Sequence, residues 1–174
     1  MAMNVTGKIR ITGFPPVISV DACTLILGSM PGEESLRSQQ YYAHPRNAFW
    51  RILASLGGSE PGASYEKRLE MLTAHRLALW DVLHSCRRAG SLDSAIQKSS
   101  VQANDFKVIF TQNPNIRRIF FNGAFAEKSY QKHVLPFLSS GHADIPMLRL
   151  PSTSPAHAGL RYEDKLDAWR AILD

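Results

Sequence analysis

The sequence predicts an α/β protein, a three-layer αβα sandwich around a central four-stranded, mainly parallel sheet. Two observations carry this. Short apolar runs at residues 24–29, 77–83, 117–122 and 146–150 have the length of buried strands. Segments of helical periodicity alternate with them, and that alternation places helices on both faces of a parallel sheet. No repeat, low-complexity tract or long linker divides the chain, so residues 1–174 are expected to form a single domain.

The elements follow in order. Residues 8–12 form a candidate edge strand that Pro15 and Pro16 end. After the first confident strand, residues 32–36 read as a short helical turn with acids near its start. Residues 47–56 read as a helix with Phe49, Leu53 and Leu56 on one side, stopped by Gly57 and Gly58. A second helix covers 65–75, with Leu69 and Leu72 facing inward. Residues 84–90 read as a polar loop, and residues 91–94 as a possible helix start. A short helix spans 104–110 with Asn104 as its N-cap. Gly123 turns the third strand into a helix marked by Ala126, Tyr130, Val134 and Phe137. A last helix at 161–173 carries Tyr162, Leu166, Trp169 and Leu173 on one stripe.

Composition narrows the class. A hydrophobic fraction of 44% and a charged fraction of 20% are those of a globular protein able to bury a core without disulfides or metal. No apolar run approaches a membrane span and no secretory leader pattern opens the chain. Cys23 and Cys86 suit a reducing compartment, so a cytoplasmic location is expected. The formal charge is +5, carried by 13 Arg and 7 Lys. An Arg bias fits a phosphate-bearing partner, and a modest positive charge equally serves solubility.

The topology brings the carboxyl ends of all four strands to one edge of the sheet, where α/β folds bind ligands. The loops that meet there, 28–47, 84–90, 122–123 and 151–157, are rich in Gly, Pro, Ser, Asn and His. Familiar motifs do not explain them. Three residues separate Gly28 from Gly32 where a P-loop has four, and Glu33 stands in place of its Lys. Pro31 and a missing third Gly exclude a dinucleotide fingerprint. His84 and Cys86 have no second pair at metal-site spacing, so neither metal nor cofactor is expected. No Gly-x-Ser-x-Gly elbow occurs. Taken singly, Asn47 is a helix cap or a functional amide, Tyr41 and Tyr42 are core-edge packing or a stacking platform, and His44 faces solvent, a phosphate or a carbonyl.

Taken together, Gly28-Ser-Met-Pro-Gly32, then Tyr42-Ala-His-Pro-Arg-Asn-Ala-Phe-Trp50, then Pro151-Ser-Thr-Ser-Pro-Ala-His157 resemble the uracil-DNA glycosylase superfamily, and within it the hypoxanthine-DNA (deoxyinosine) glycosylase branch. The resemblance runs from about residue 24 to 169, and the His44–Trp50 run carries most of it. It implies a uracil-DNA glycosylase-like fold and a monomeric enzyme of base excision repair acting on double-stranded DNA that contains a deaminated base. Gly28, Ser29, Met30, Pro31 and Gly32 would pass beside the sugar and base. Tyr42 would stack on the extruded base, and His44, Asn122, Ser152 and Ser154 would line its site. Arg46, Pro155, Ala156 and His157 would meet DNA, the last loop entering the minor groove. Mismatch-specific uracil glycosylases carry a water-positioning Asn where this chain has Met30, so the resemblance moves the catalytic amide to Asn47. The catalytic His of classical uracil glycosylases has no clear counterpart, since His157 falls a few residues late.

The chemistry is compatible. Flipping a base costs a few kcal/mol, least for a poorly paired one. Cleavage of the N-glycosidic bond passes through a cation-like sugar, aided by placed water and by stabilisation of the departing base. An amide can orient water or donate a hydrogen bond but does not titrate. No Lys stands in the matched motifs to form a Schiff base, which implies a monofunctional enzyme. Arg37, Arg46, Arg87, Arg88 and Arg161 lie in or beside the site-edge loops as candidate phosphate contacts. Three other readings stay open at this stage: a mismatch-type uracil-DNA glycosylase, a lesion-binding module without turnover, and a hydrolase of free nucleosides or nucleotides.

Overall fold

The computed structural model describes residues 9–60 and 62–174. Four strands, β2 (Thr24–Gly28), β3 (Leu77–Asp81), β6 (Arg118–Asn122) and β7 (Met147–Leu150), form one sheet in the order β3-β2-β6-β7, with every pairing parallel. Side chains alternate across it, as strand geometry requires. Leu25, Leu27, Ala78, Trp80, Ile119 and Phe121 face one way and join Phe106, Ile109 and Phe110 of α4 (Phe106–Gln112) and Ala126 and Tyr130 of α5 (Ala124–His133). Ile26, Leu77, Leu79, Phe120 and Leu150 face the other way. They meet Phe49, Trp50, Ile52 and Leu53 of α2 (Phe49–Gly57), Leu72 of α3 (Tyr65–Ala74) and Trp169 of α7 (Tyr162–Trp169). The three-layer αβα arrangement is as the sequence predicts.

A second sheet was not expected. β1 (Arg10–Thr12), β4 (Leu83–Arg87) and β5 (Gln102–Ala103) pair antiparallel in the order β1-β4-β5. The run read as one strand over 77–83 is therefore two strands separated by Val82, and most of the supposed polar loop at 84–90 is strand. Ser85 and Cys86 are buried, which a polar-looking segment does not advertise. Of the candidate edge strand, Lys8 lies outside the described residues.

Other boundaries shift for local reasons. Asp105, not Asn104, caps α4, its Oδ1 accepting from the Val108 N–H at 3.2 Å. α5 ends at His133, and Phe137 sits 64% exposed in the 3₁₀ turn Leu135–Phe137, where Pro136 interrupts the ladder. α7 tightens into a 3₁₀ turn, Arg170–Ile172, which leaves Leu173 exposed. The remaining helices, α1 (Glu33–Ser38) and α6 (Ser140–Ala143), are short. No helix among the described residues is long and apolar enough to cross a membrane.

Candidate active site

The carboxyl edge of the large sheet holds a cavity of about 140 Å³. Its floor is built by strand register. Gly28 pairs with Asp81 across β2 and β3, and Asn122 lies one step beyond the Leu27–Phe121 pair on β6. Gly28 thus sits between an acid and an amide on the face that carries α2. The Asp81 Oδ1 and the Tyr42 hydroxyl occupy the space a side chain at Gly28 would need. Glycine is required here for close approach rather than for its backbone angle.

One wall is the segment between α1 and α2, tied down at several points. The Ala43 N–H donates to Ser35 Oγ, the Tyr41 hydroxyl to the Pro15 carbonyl, and the Trp50 indole to the Tyr41 carbonyl. Tyr42 adopts a left-handed backbone (φ 53°) and stacks on Phe49 with ring centroids 4.1 Å apart and planes 26° from parallel. One ring face is thereby taken. Its hydroxyl is buried against Asn122 and Asp81 without a well-formed hydrogen bond, and burial holds the phenol well above its ordinary range.

Asn47 unites the two roles the sequence left open. Ala48 is formally the N-cap of α2, and Asn47 Oδ1 accepts from the Phe49 N–H at 3.0 Å. A backbone donor can face only the amide oxygen, so the cap fixes which end of the amide is which. Among the described residues the Nδ2 donor is left uncommitted beside the cavity that Asn47 lines. His44 is fixed likewise. Its Nδ1 accepts from the Arg46 N–H at 3.1 Å, so the neutral ring carries hydrogen on Nε2.

The opposite wall is the loop after β7. Asn122 Oδ1 accepts from the Thr153 N–H at 2.9 Å and its Nδ2 donates to Thr153 Oγ1 at 2.8 Å. Asn122 was expected to bind substrate. It lines the cavity, and one donor and one acceptor of its amide hold this loop. Ser152 and Ser154 each accept from an N–H two residues on, making successive turns, and Ser152 packs against Gly123 (φ 93°) where no Cβ would fit. The Trp169 indole donates to the Pro151 carbonyl and Lys165 Nζ to the His157 carbonyl. Pro155 reaches the cavity, while Ala156 and His157 project into solvent. The Ala48 N–H donates to the Thr153 carbonyl at 3.0 Å, joining the two walls.

Gly28, Ser29, Met30, Pro31, Gly32, Tyr42, His44, Asn47, Asn122, Ser152, Ser154 and Pro155 all line this one cavity. Met30 does so with its side chain in the core, 6% exposed. Of the arginines expected at phosphates, Arg88 is buried and donates to the carbonyls of Pro31 and Gly90, so it shapes the loop instead. Arg37 and Arg161 pair with Glu34 and Asp164. Arg46 and Arg87 remain exposed.

Asp81 and Asp93 also line it, and the sequence reading does not single them out. Asp81 is 3% exposed, and its Oδ2 has no hydrogen-bond partner among the described residues. Burial first, then the Asp93 carboxyl, pushes it up to about 7 against the opposing Arg88 guanidinium. Asp93 is also raised, chiefly by burial, against the Ser29 hydroxyl that donates to its Oδ1 at 2.8 Å. The signal was present in the sequence: a lone carboxylate inside an apolar run needs a reason to be there.

A family model described as the uracil DNA glycosylase superfamily matches residues 15–173. The chain belongs to the uracil DNA glycosylase superfamily. Among curated relatives, a protein named hypoxanthine DNA glycosylase from Methanosarcina barkeri is 42% identical over 112 residues, 64% of this chain and 70% of that one. A protein of the same name from Methanosarcina acetivorans is 39% identical over 139 residues, 75% of this chain and 87% of the other. The solution NMR structure of a candidate uracil DNA glycosylase from Methanosarcina acetivorans superposes with a TM-score of 0.76 at 34% identity, covering 95% of this chain and all of that one. In this superfamily member the matched span contains both walls and the floor of the cavity.

Proposed function

We propose that this protein is a monofunctional DNA glycosylase that extrudes a deaminated base from double-stranded DNA and hydrolyses its N-glycosidic bond, with hypoxanthine from deoxyinosine as the preferred base. The observation that carries this is the cavity at the strand ends. It is roomy enough for one base and bordered by Tyr42, Asn47, His44 and the Ser152–Pro155 turns. The hypoxanthine glycosylase relatives support the choice of base.

Asn47 Nδ2 donates to the base or the attacking water, held by the bond its Oδ1 makes to α2. The Nε2–H of His44 is a second donor at the cavity. Tyr42 offers the flipped base an aromatic wall that Phe49 backs. Ala156 and His157 stand outside the cavity, where a loop that displaces a base must project, and Arg46 takes a neighbouring phosphate. No lysine lines the cavity among the described residues, which favours water over a Schiff base as the nucleophile.

The test is base release under single-turnover conditions from duplexes carrying deoxyinosine, deoxyuridine, deoxyxanthosine or a thymine mismatch. The expected result is fastest release from deoxyinosine, with an abasic site left intact. Tight binding of the inosine duplex with no abasic product on long incubation would replace the enzyme with a lesion-binding module.

A further inference from the structure

The proposed roles leave the floor of the cavity without one. Asp81 ends β3 with its carboxyl in the cavity, Oδ1 above Gly28 and Oδ2 buried with no partner among the described residues. Its electrostatic tie to the fold is to the buried Arg88 guanidinium, and its Oδ2 makes no hydrogen bond among the described residues. Its own carbonyl, not its carboxyl, accepts from Asn104 Nδ2 at 2.8 Å. The cation that acts on it, Arg88, gives Nε and Nη2 to two carbonyls, leaves Nη1 unpartnered among the described residues, and forms no salt bridge with it there. A buried, unpaired carboxylate is costly, so such a group holds its proton or finds a donor.

The charged and titratable groups around it come from three segments. Asp93 and Arg88 face it from the segment after β4, and Tyr41 and Tyr42 from the segment before α2. Glu34 and His44 line the same cavity. The two tyrosines are held neutral by burial, and Asp93 with burial outweighs Arg88. Asp81 is therefore poised to carry and release a proton close to neutral pH.

We propose that Asp81 is the general acid that protonates the departing purine. This rests on the reading of the protein as a deoxyinosine glycosylase. As the C1′–N9 bond breaks, its electron pair passes to the base. The Asp81 carboxyl gives its proton to N7, and hypoxanthine leaves as the neutral N7–H tautomer. Water adds to C1′ and loses a proton, which returns Asp81 to its acid form. Substrate plus water become free base plus abasic site, with no other reactant. Hypoxanthine presents N7 beside O6 as acceptors for such a donor, and a pyrimidine has no N7.

The experiment compares wild type and Asp81→Asn on duplexes carrying deoxyinosine or 7-deaza-2′-deoxyinosine, with single-turnover release followed from pH 5.5 to 9. The wild-type rate on deoxyinosine is expected to fall about tenfold per pH unit above about pH 7. The variant should be slower by about 10²–10⁴-fold and lack that limb, while binding the inosine duplex as tightly as wild type. Without N7, wild type should lose its advantage, and the two proteins should cleave the deaza substrate at the same slow rate. A variant that keeps the alkaline limb, or slows the deaza substrate by the same factor, overturns the assignment. So does wild type cleaving both substrates equally fast. Wild type that releases nothing from deoxyinosine overturns the glycosylase reading itself, a different outcome from an active enzyme indifferent to Asp81.

Discussion

Gly28 and Asp81 are register partners at the carboxyl ends of adjacent parallel strands, and the Asp81 carboxyl fills the space a Gly28 side chain would take. Gly28→Ala therefore drives a methyl into Asp81 Oδ1 and the Tyr42 hydroxyl. The expected cost is about 1–3 kcal/mol in urea unfolding, with base release lost more completely than stability.

Asn47 separates into two measurable parts. Asn47→Asp keeps an oxygen acceptor for the Phe49 N–H and removes the Nδ2 donor. Its urea midpoint should match wild type while base release falls roughly 10²–10³-fold. Asn47→Ala loses both and should also lose about 1 kcal/mol of stability. Equal rates for wild type and both variants would remove Asn47 from the chemistry.

Asp81 makes stability depend on pH in a definite direction. Burial pushes its carboxyl up to about 7 in the folded chain against an ordinary 3.8, so between those values the folded chain holds more proton than the unfolded one. Stability from this group is full below about pH 4, falls as pH rises, and levels off above about pH 7. Asp81→Asn removes that slope. It should match wild type near pH 4 and exceed it at pH 8 by roughly 2–4 kcal/mol, read from urea melts at both pH values.

How far the sequence reaches is clear from these residues. Leu25, Ile26 and Leu27 are apolar on both sides because both faces of β2 are covered, so the strand stands out as a run. β4 hides because it buries Ser85, whose hydroxyl donates to Gln102 Oε1, and exposes His84 and Arg87. Its inward polarity is satisfied by a partner strand that no local pattern reveals. Three of the four cavity segments, 28–47, 122–123 and 151–157, are legible through their Gly, Pro, Ser and Asn content, while 84–90 is mostly strand and gives its place in the lining to Ser91 and Asp93. The division of labour within them is not: that Asn122 also holds Thr153, and that Arg88 meets the Pro31 carbonyl, is decided by tertiary approach.

Arg46 and Arg88 should therefore behave oppositely. Arg46→Ala leaves folding within about 0.5 kcal/mol and lowers the slope of log affinity against log salt by about 1. Arg88→Ala strands the carbonyls of Pro31 and Gly90 and should lower the urea midpoint with little change in that slope.

Asn122→Ala removes two bonds to Thr153, one of them to a backbone amide of a buried residue. The expected loss is roughly 2–3 kcal/mol. Amide hydrogen exchange should show Thr153 losing protection, while strand β2 keeps its own.

The bond from the Ala48 N–H to the Thr153 carbonyl has a consequence for altering this protein's choice of base. Main chain, not side chain, spans the gap between the two walls, so trimming Tyr42, Ser152 or Ser154 deepens the pocket without widening it. A library aimed at bulkier lesions would gain most from changes in the length of the 39–47 segment. One aimed at discrimination between bases of the same size would gain most at position 81.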